Sequence, residues 1–281
     1  MKATPACIIA CIFVLVSCTS GNKPEGEFRL LPQPQLFEIT GTSAIKHSDI
    51  VQYHITGNIE LPVRGEKLKN IRASDNPQDA QIICSIDASL DTKEEGYTLA
   101  ISKDQINIIA RDKAGLLYAF MTLEQLMEDS EEQSVPLPLC SIKDYPLLSY
   151  RAIHIDVKHH RETIEYYYQL MDKLAGYKVN AIIAEMEDKL KYERQPALGS
   201  ADALSIKEKK KLSEYAMERN IEISPLIQGL GHASFILKHD IYKDIRDDPQ
   251  SDWAFDPLNP KTYEVQFDLY RDALDATPYG R

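Results

Sequence analysis

The sequence predicts an α+β domain followed by a domain of alternating strands and helices, and three observations support this. Residues from about 31 to 147 alternate short apolar strands with turns and contain one long helical stretch. After Tyr150, strand and helix patterns alternate three times. The strands of this second part are apolar nearly throughout, which is typical of a parallel sheet covered by helices. Such a sheet fits either a doubly wound domain or the start of a (β/α)8 barrel.

The composition is that of a globular protein with a substantial apolar core. Hydrophobic residues make up 43% and charged residues 27% of the 281 residues, enough for one large domain or two ordinary ones. The formal net charge is −11, whereas phosphate contacts need clustered Lys and Arg side chains. We therefore expect no nucleic-acid partner.

The first 18 residues, MKATPACIIACIFVLVSC, have the pattern of an export signal. Their apolar stretch, 6–16, is shorter than the roughly 20 residues that a membrane-spanning helix needs. The tetrad Leu15–Cys18 resembles a bacterial lipobox, so that Cys18 would carry an acyl anchor and 19–30 would form a tether. We expect an exported bacterial lipoprotein, in the periplasm or at the outer membrane, held to the bilayer by this lipid. The alternative is an ordinary secretory signal with an incidental Cys.

Only two Cys residues, Cys84 and Cys140, lie outside this signal. An exported protein could pair them, but two Cys residues in separate apolar strands are more often buried and free. The sequence has neither a CxxC spacing nor a cluster of His and Cys that would predict a metal site. We expect neither a metal nor another cofactor.

The first domain, 31–147, shows four strand patterns and one helix. The strands are IVQYHI, AQIICSID, GYTLAIS and QINIIAR. A tight turn around Lys103 and Asp104 separates the last two, which predicts a hairpin. Asp112 is the expected N-cap of the helix. Four apolar residues follow it at helical spacing: Leu116, Phe120, Leu123 and Met127.

The second domain, 148–281, contains three strand–helix units. Its strands are RAIHIDV, NAIIAEM and IEISPLIQ. The first helix is marked by Ile164, Tyr167, Met171 and Leu174. The second begins at a capping box formed by Ser205 and Glu208. A loop of about 30 residues precedes the third helix, unusually long for such a connection. This helix has four apolar residues on one face: Tyr263, Phe267, Tyr270 and Leu274.

Polar and titratable residues follow all three of these strands. They are Asp156, Lys158, His159, His160 and Arg161 after the first, Glu185, Glu187 and Asp188 after the second, and Gln228 and His232 after the third. Each residue alone is more often solvated or packed than functional. The carboxyl ends of parallel strands meet at one edge of a sheet, however, and chemistry gathers there. Their convergence predicts a functional site at this edge.

Four stretches in the same order resemble glycoside hydrolase family 20, the β-N-acetylhexosaminidases. They are EGYTLAISKDQINIIARDKAGLLYAFMTLEQLM, YRAIHIDVKHH with LMDKLAGYKVNAI, IEISPLIQGLGHAS, and DPLNPKTYE. The resemblance runs from about Leu31 to the end of the sequence. It implies the family's N-terminal α+β domain at 31–147, followed at 148–281 by a partial (β/α)8 TIM barrel of about three βα units.

The resemblance also implies roles for three residues. Arg151 matches an Arg that grips hydroxyls of the terminal sugar. Asp188 and His232 match an Asp–His relay that tunes the family's general acid, because a carboxylate bonded to an imidazole raises the basicity of that ring. The chain departs from the family pattern at Lys158 and His159, where Arg or Gly residues are expected. It departs again with Lys189 in place of a second Asp and Tyr192 near the place of a Trp.

The implied activity is removal of terminal N-acetylglucosamine or N-acetylgalactosamine from glycans by substrate-assisted retaining catalysis. In the family, a catalytic Asp–Glu pair ends the fourth barrel strand. No fourth strand precedes Arg281, so the pair is expected after it and the chain alone is expected to be inactive. Glu187 and Asp188 are the only acidic pair on the predicted edge, and we do not assign them that role. The alternative is a surface lipoprotein that binds glycans without cleaving them.

Overall fold

The computed structural model describes residues 25–57, 59–63, 65–158 and 160–280. The predicted signal 1–18 with Cys18, and His159, lie outside these ranges. Within them, no helix combines the length and the apolar character that crossing a bilayer requires.

The first domain is a seven-stranded mixed sheet covered by one helix. Its elements are β1 (Leu36–Thr42), β2 (Gln52–Thr56), β3 (Arg72–Ala73), β4 (Ile82–Ile86), β5 (Tyr97–Ile101), β6 (Ile106–Ala110), α1 (Lys113–Gln133) and β7 (Pro138–Asp144). The strand order is β1-β7-β5-β6-β4-β2-β3. Strands β5 and β6 pair antiparallel, which confirms the predicted hairpin, and the α+β class predicted for this domain is also confirmed.

Helix α1 provides the other half of the first domain's core. Asp112 caps it by accepting a hydrogen bond from the Gly115 amide at 2.8 Å, as predicted. The helix packs on β4, β5 and β6 and fully buries the side chains of Leu116, Phe120 and Leu123. It ends at Ser134, whose φ of 57° is left-handed.

The two Cys residues of the first domain are buried and free. Cys84 lies in β4 and Cys140 in β7, and strands β5 and β6 separate them in the sheet. Three interstrand spacings amount to roughly 14 Å, too far for a disulfide. Burial raises the pKa of each thiol to about 12, so both are held as unreactive thiols.

Residues 25–30 are packed along α1. Phe28 is buried, and the Glu27 amide donates to Gln133 Oε1 at 2.8 Å. The Arg29 amide donates to Asp129 Oδ2 at 2.7 Å. The prediction of a tether over 19–30 is therefore wrong for residues 25–30, because helix side chains and the apolar core bind this stretch. Residues 19–24 lie outside the described ranges.

The second domain is built on a three-stranded parallel sheet. Its elements are β8 (Ala152–Asp156), α2 (Ile164–Gly176), β9 (Ala181–Glu185), β10 (Leu190–Lys191), β11 (Leu204–Ser205), α3 (Ile206–Met217), β12 (Glu222–Leu226), α4 (Ser234–Leu237) and α5 (Pro260–Ala276). Strand β9 lies between β8 and β12, and all three run parallel. The predicted alternation of parallel strands and helices is confirmed. The short parallel pair β10–β11 was not predicted.

The three main helices of this domain begin at side-chain caps. Thr163 caps α2, Asn259 caps α5, and Ser205 forms the predicted capping box with Glu208 at α3. Helix α5 differs from the prediction in the face that it buries. Its buried apolar residues are Val265, Leu269, Ala273 and Ala276, a face whose two alanines allow close approach to α3.

The four residues that were predicted to form the apolar face of α5 are instead exposed. Tyr263, Phe267, Tyr270 and Leu274 are 37–50% exposed, and we call them the α5 stripe. Beside it, a cavity of about 550 Å³ opens along β12 and is lined by both Tyr270 and Leu274. Strand β12 has no neighbour on its outer side within the described residues.

The two domains meet through a buried polar contact. Lys178, which follows α2, is 6% exposed and reaches into the first domain. Its ammonium donates to Asp144 Oδ2 at 2.6 Å and to the Tyr97 hydroxyl at 2.9 Å. Burial lowers the pKa of Lys178, although Asp144 partly offsets that effect. The Asn220 amide group adds bonds to the Tyr118 hydroxyl at 2.8 Å and to Glu95 at 3.2 Å.

Candidate functional site

The carboxyl ends of the three parallel strands lie side by side at one edge of the sheet. Asp156 of β8 and Leu226 of β12 both pair in register with Glu185 of β9. The polar residues that follow these strands therefore converge, as predicted. We call this edge, with the segments that leave it, the carboxyl rim.

Glu185 is the centre of the carboxyl rim. Its side chain is 4% exposed, yet it accepts hydrogen bonds from Lys158 Nζ at 2.8 Å and Gln228 Nε2 at 2.6 Å. His154 Nε2 lies 3.1 Å from its second oxygen. Burial by itself would raise the pKa of Glu185, but the bonds from Lys158 and Gln228 outweigh it and the pKa is lowered. Glu185 is thus a fixed anion that joins all three strands.

Lys158 holds the turn after β8 against this anion. Its amide donates to Asp156 Oδ1 at 3.0 Å, and its ammonium lies 3.3 Å from Asp156 Oδ2. The hydrogen bond to Glu185 raises the pKa of Lys158. The ammonium is therefore a permanent positive charge at the base of the rim, shared between two carboxylates.

Glu187 is the rim carboxyl group without a partner among the described residues. Its φ of 37° is left-handed, an unusual conformation for a residue with a side chain. Its backbone oxygen accepts a bond from the Tyr192 hydroxyl at 2.9 Å. Burial raises the pKa of its carboxyl group, which Lys158 opposes and Glu185 reinforces. Strained backbone at a rim is a common property of functional sites.

Asp188 and His232, the predicted relay, both lie in segments that leave the rim. Asp188 Oδ1 is 3.5 Å from Lys189 Nζ, and Oδ2 is 3.6 Å from Lys238 Nζ. The His232 ring packs on Trp253, with 4.2 Å between ring centroids and a tilt of 53°. No hydrogen bond joins Asp188 to His232 in the described part of the chain. The relay stays a prediction.

Arg151 lies away from the rim, immediately before β8 begins. Its guanidinium donates to Glu95 Oε2 and to the Lys178 carbonyl, each at 2.6 Å. Further bonds reach the Leu148 carbonyl at 2.7 Å and the Tyr118 hydroxyl at 3.2 Å. The structure therefore places this side chain in the contact between the two domains. Its role in gripping sugar hydroxyls stays a prediction.

Trp253 is a rim residue that the sequence analysis did not identify. It lies in the long loop between β12 and α5, is 53% exposed and packs against the His232 ring. It is also the only Trp in the sequence, and its place in a loop far longer than usual was the available signal. Among the described residues, no cluster of three or more His, Cys, Asp or Glu side chains could hold a metal ion.

Comparison with known proteins gives a consistent result along the chain. The family model described as "Glycosyl hydrolase family 20, domain 2" matches residues 27–145. The beta-hexosaminidase of Porphyromonas gingivalis is 27% identical over 272 residues, covering 83% of this chain and 35% of that protein. The N,N'-diacetylchitobiase of Vibrio harveyi is 32% identical over 96 residues, covering 34% of this chain and 11% of that protein.

Solved structures show the same fold over most of the chain. The beta-N-acetylhexosaminidase from Streptomyces coelicolor superposes with a TM-score of 0.74 at 20% identity, covering 90% of this chain and 58% of that one. The chitobiase from Flavobacterium johnsoniae superposes with a TM-score of 0.72 at 23% identity, covering 89% of this chain and 43% of that one. The chain thus spans about a third of the length of the Porphyromonas relative and about half of the length of these structures.

Proposed function

The chain belongs to glycoside hydrolase family 20, and on that basis we propose that it forms part of a β-N-acetylhexosaminidase. The substrate would be a glycan that ends in N-acetylglucosamine or N-acetylgalactosamine. The observation that carries the proposal is the carboxyl rim, where a buried, ionised Glu185 ties Lys158 and Gln228 to one edge of a parallel sheet. This edge is where enzymes of parallel α/β architecture bind their substrates.

The proposed mechanism is substrate-assisted and retaining. The 2-acetamido oxygen of the substrate attacks the anomeric carbon, the glycosidic bond breaks, and a general acid protonates the leaving oxygen. Water then opens the cyclic intermediate with retention of configuration. The acid and the carboxylate that orients the acetamido group would be an Asp–Glu pair on a further strand after Arg281.

The further strand is part of a second proposal, that β8, β9 and β12 begin a (β/α)8 barrel. Two observations support it. No further strand lies beside β12 on its outer side within the described residues, and the α5 stripe exposes four large apolar side chains beside it. Adding further strand–helix units would pair that edge and bury the stripe.

Turnover of an aryl β-N-acetylglucosaminide tests the proposed activity. We expect hydrolysis by a protein in which this chain continues past Arg281, and none by residues 25–281 alone. Saturable glycan binding without any turnover by the longer, folded protein would contradict the enzyme and favour a glycan-binding lipoprotein. Clear turnover by the shorter chain would place the catalytic carboxylates on its own rim.

The relay of Asp188 and His232 can be tested in the same assay. We expect His232→Ala to lower kcat by about 10²- to 10⁴-fold, the usual scale of acid–base assistance. Asp188→Ala should lower kcat by a similar factor. The double variant should lower kcat little further, because coupled residues act as a unit. An unchanged kcat with a lowered melting temperature would show that His232 only packs against Trp253.

We also propose that the protein is an exported lipoprotein anchored through Cys18. The support is the signal-like pattern of 1–18, with its short apolar stretch and terminal Cys. Cys18→Ala should release the protein from membranes or block its processing. Unchanged membrane association in a fractionation experiment would contradict the anchor.

A further inference from the structure

The long loop after β12 presents one large aromatic side chain to solvent. Trp253 is 53% exposed, whereas Phe255, two residues later, is 2% exposed. Leaving an indole in water forgoes the favourable burial of a large apolar surface. An exposed Trp on the carboxyl rim is therefore a feature that packing within the loop does not explain.

The loop holds Trp253 in place on both sides. The Ala233 amide donates to the Trp253 carbonyl at 3.0 Å, and the Phe255 amide donates to the Leu230 carbonyl at 2.8 Å. The Ser234 hydroxyl donates to the Asp252 carbonyl at 3.2 Å. The backbone of Trp253 is thus bonded to the turn after β12, which fixes the position from which the indole projects.

The turn after β12 packs closely against the Trp253 indole. Leu230 and His232 have left-handed φ values of 63° and 55°, and the His232 ring packs against the indole at 4.2 Å. A Cβ added to Gly231 would lie 3.3 Å from the indole Nε1, so glycine allows the close approach there. Two strained residues in one turn are costly, and here they bring an imidazole and the indole together at the rim.

We infer that Trp253 is a stacking platform for the pyranose ring of an N-acetylhexosamine. This inference rests on the proposed function and extends it to a specific contact. The C–H bonds on one face of a pyranose carry partial positive charge, and the face of an indole carries partial negative charge. Trp253 is 53% exposed, which leaves much of its side chain open to such a contact, and its Nε1–H is a potential donor to a sugar oxygen.

Because Trp253 is the only Trp in the sequence, its fluorescence reports on this position alone. We expect a saturable change in emission when the full 281-residue chain is titrated with N-acetylglucosamine, N-acetylgalactosamine or their β-linked disaccharides. Trp253→Ala should weaken binding about tenfold, as measured by saturation-transfer NMR or calorimetry. Trp253→Phe should keep part of the affinity, because a smaller aromatic face remains.

Tyr279→Ala is a matched control. Tyr279 is 46% exposed, similar to Trp253, and it lies at the amino end of β12, since its neighbour Gly280 contacts the Ile223 backbone. This variant should bind the sugars like the parent chain. Circular dichroism and melting curves of each variant verify that the fold is retained.

Three results would overturn the inference. If Trp253→Ala binds the sugars as tightly as the parent chain does, Trp253 is not a stacking platform, and the proposed function is unaffected. Absence of binding to the full chain and to a longer, folded protein would overturn both together. Resistance of the folded chain's emission to acrylamide quenching would show that other polypeptide covers the indole, which also rules out the platform.

Discussion

At the scale of single residues, the contacts of Arg151 differ from the role that was predicted for it. Family resemblance assigns it to sugar hydroxyls, whereas the structure places its guanidinium among acceptors from both domains. The side chains of Arg151 and Glu95 are 19% and 18% exposed. Removing Arg151 leaves the Glu95 carboxylate in a shielded site without its cation, although the Asn220 amide group still donates to it.

Arg151→Ala is therefore expected to destabilise the protein by about 2 kcal/mol, the scale of a charged hydrogen bond in a shielded site. Urea unfolding followed by circular dichroism measures this loss. Arg29→Ala is the control, because the side chains of Arg29 and Glu27 are 78% and 71% exposed and such pairs contribute little. Unchanged stability with a raised KM would instead identify Arg151 as a sugar-binding residue.

Glu124 gives a pH-dependent contribution at the same scale. This residue of α1 is 7% exposed, and burial raises the pKa of its carboxyl group to about 7, although bonds from the Leu68 and Gly65 amides oppose the effect. The fold therefore favours the protonated form. Its contribution is fully present below the unfolded pKa of 4.5 and is lost as the pH rises through 7.

Glu124→Gln should remove this dependence. We expect the parent protein to lose on the order of 3 kcal/mol from this group between pH 4 and pH 8, and the variant to lose correspondingly less. Urea midpoints measured across this range provide the comparison, with the exposed Glu132→Gln as the control. Parallel pH profiles for the parent and Glu124→Gln would show that Glu124 is ionised in the fold at neutral pH.

At the scale of secondary structure elements, two Ser residues have opposite roles in α3, one at the N-cap and one inside the helix. Ser205 caps the helix, accepting from the Glu208 amide while Glu208 Oε2 accepts from the Ser205 amide at 2.8 Å. Ser213 is fully buried, and its hydroxyl has no hydrogen-bond partner within the described residues. The same substitution should therefore act differently at the two positions.

Ser205→Ala should destabilise the protein by about 1 kcal/mol, because it leaves a helix N–H group without its cap. Ser213→Ala should leave stability unchanged or raise it, because it removes a buried hydroxyl that has no partner. Thermal and urea unfolding of the two variants compare them directly. Equal losses at both positions would indicate that helix packing, rather than capping, controls the contribution of Ser205.

The elements also show what could be predicted from the sequence. Strands β8, β9 and β12, the cap at Asp112 and the box at Ser205 are encoded by local patterns, and each was predicted. The buried face of α5 was not predicted, because two of its residues are small alanines and the larger apolar side chains of the α5 stripe lie on the exposed face. The partner of Arg151 was also missed, since Glu95 lies 56 residues earlier in the chain and no local pattern connects the two.

At the scale of the whole molecule, the α5 stripe and the outer edge of β12 lie side by side and line one cavity. Exposed apolar surface beside an unpaired strand favours association. We expect the 281-residue chain to self-associate with increasing concentration and to bind a hydrophobic dye. Sedimentation velocity measures the first property and dye fluorescence measures the second.

Phe267→Lys with Leu274→Lys should reduce both effects. These residues are 49% and 50% exposed, so a charge is accommodated at each position without burial. The control is Tyr166→Lys, an aromatic residue of α2 that is 45% exposed and lies outside this surface. A chain that stays monomeric and binds no dye at any concentration would contradict the expectation.

The contact made by Lys178 has a consequence for how the molecule comes apart. The Lys178 ammonium donates hydrogen bonds to Asp144 and to the Tyr97 hydroxyl in a buried position. Unfolding of either domain therefore leaves a charged group of the other domain without its partner. The two cores are thereby coupled into one cooperative unit, and a heat-capacity scan of the molecule should show a single peak. An isolated first domain would carry Asp144 without its cation, and it would melt as a different and weaker unit than it does beside its neighbour.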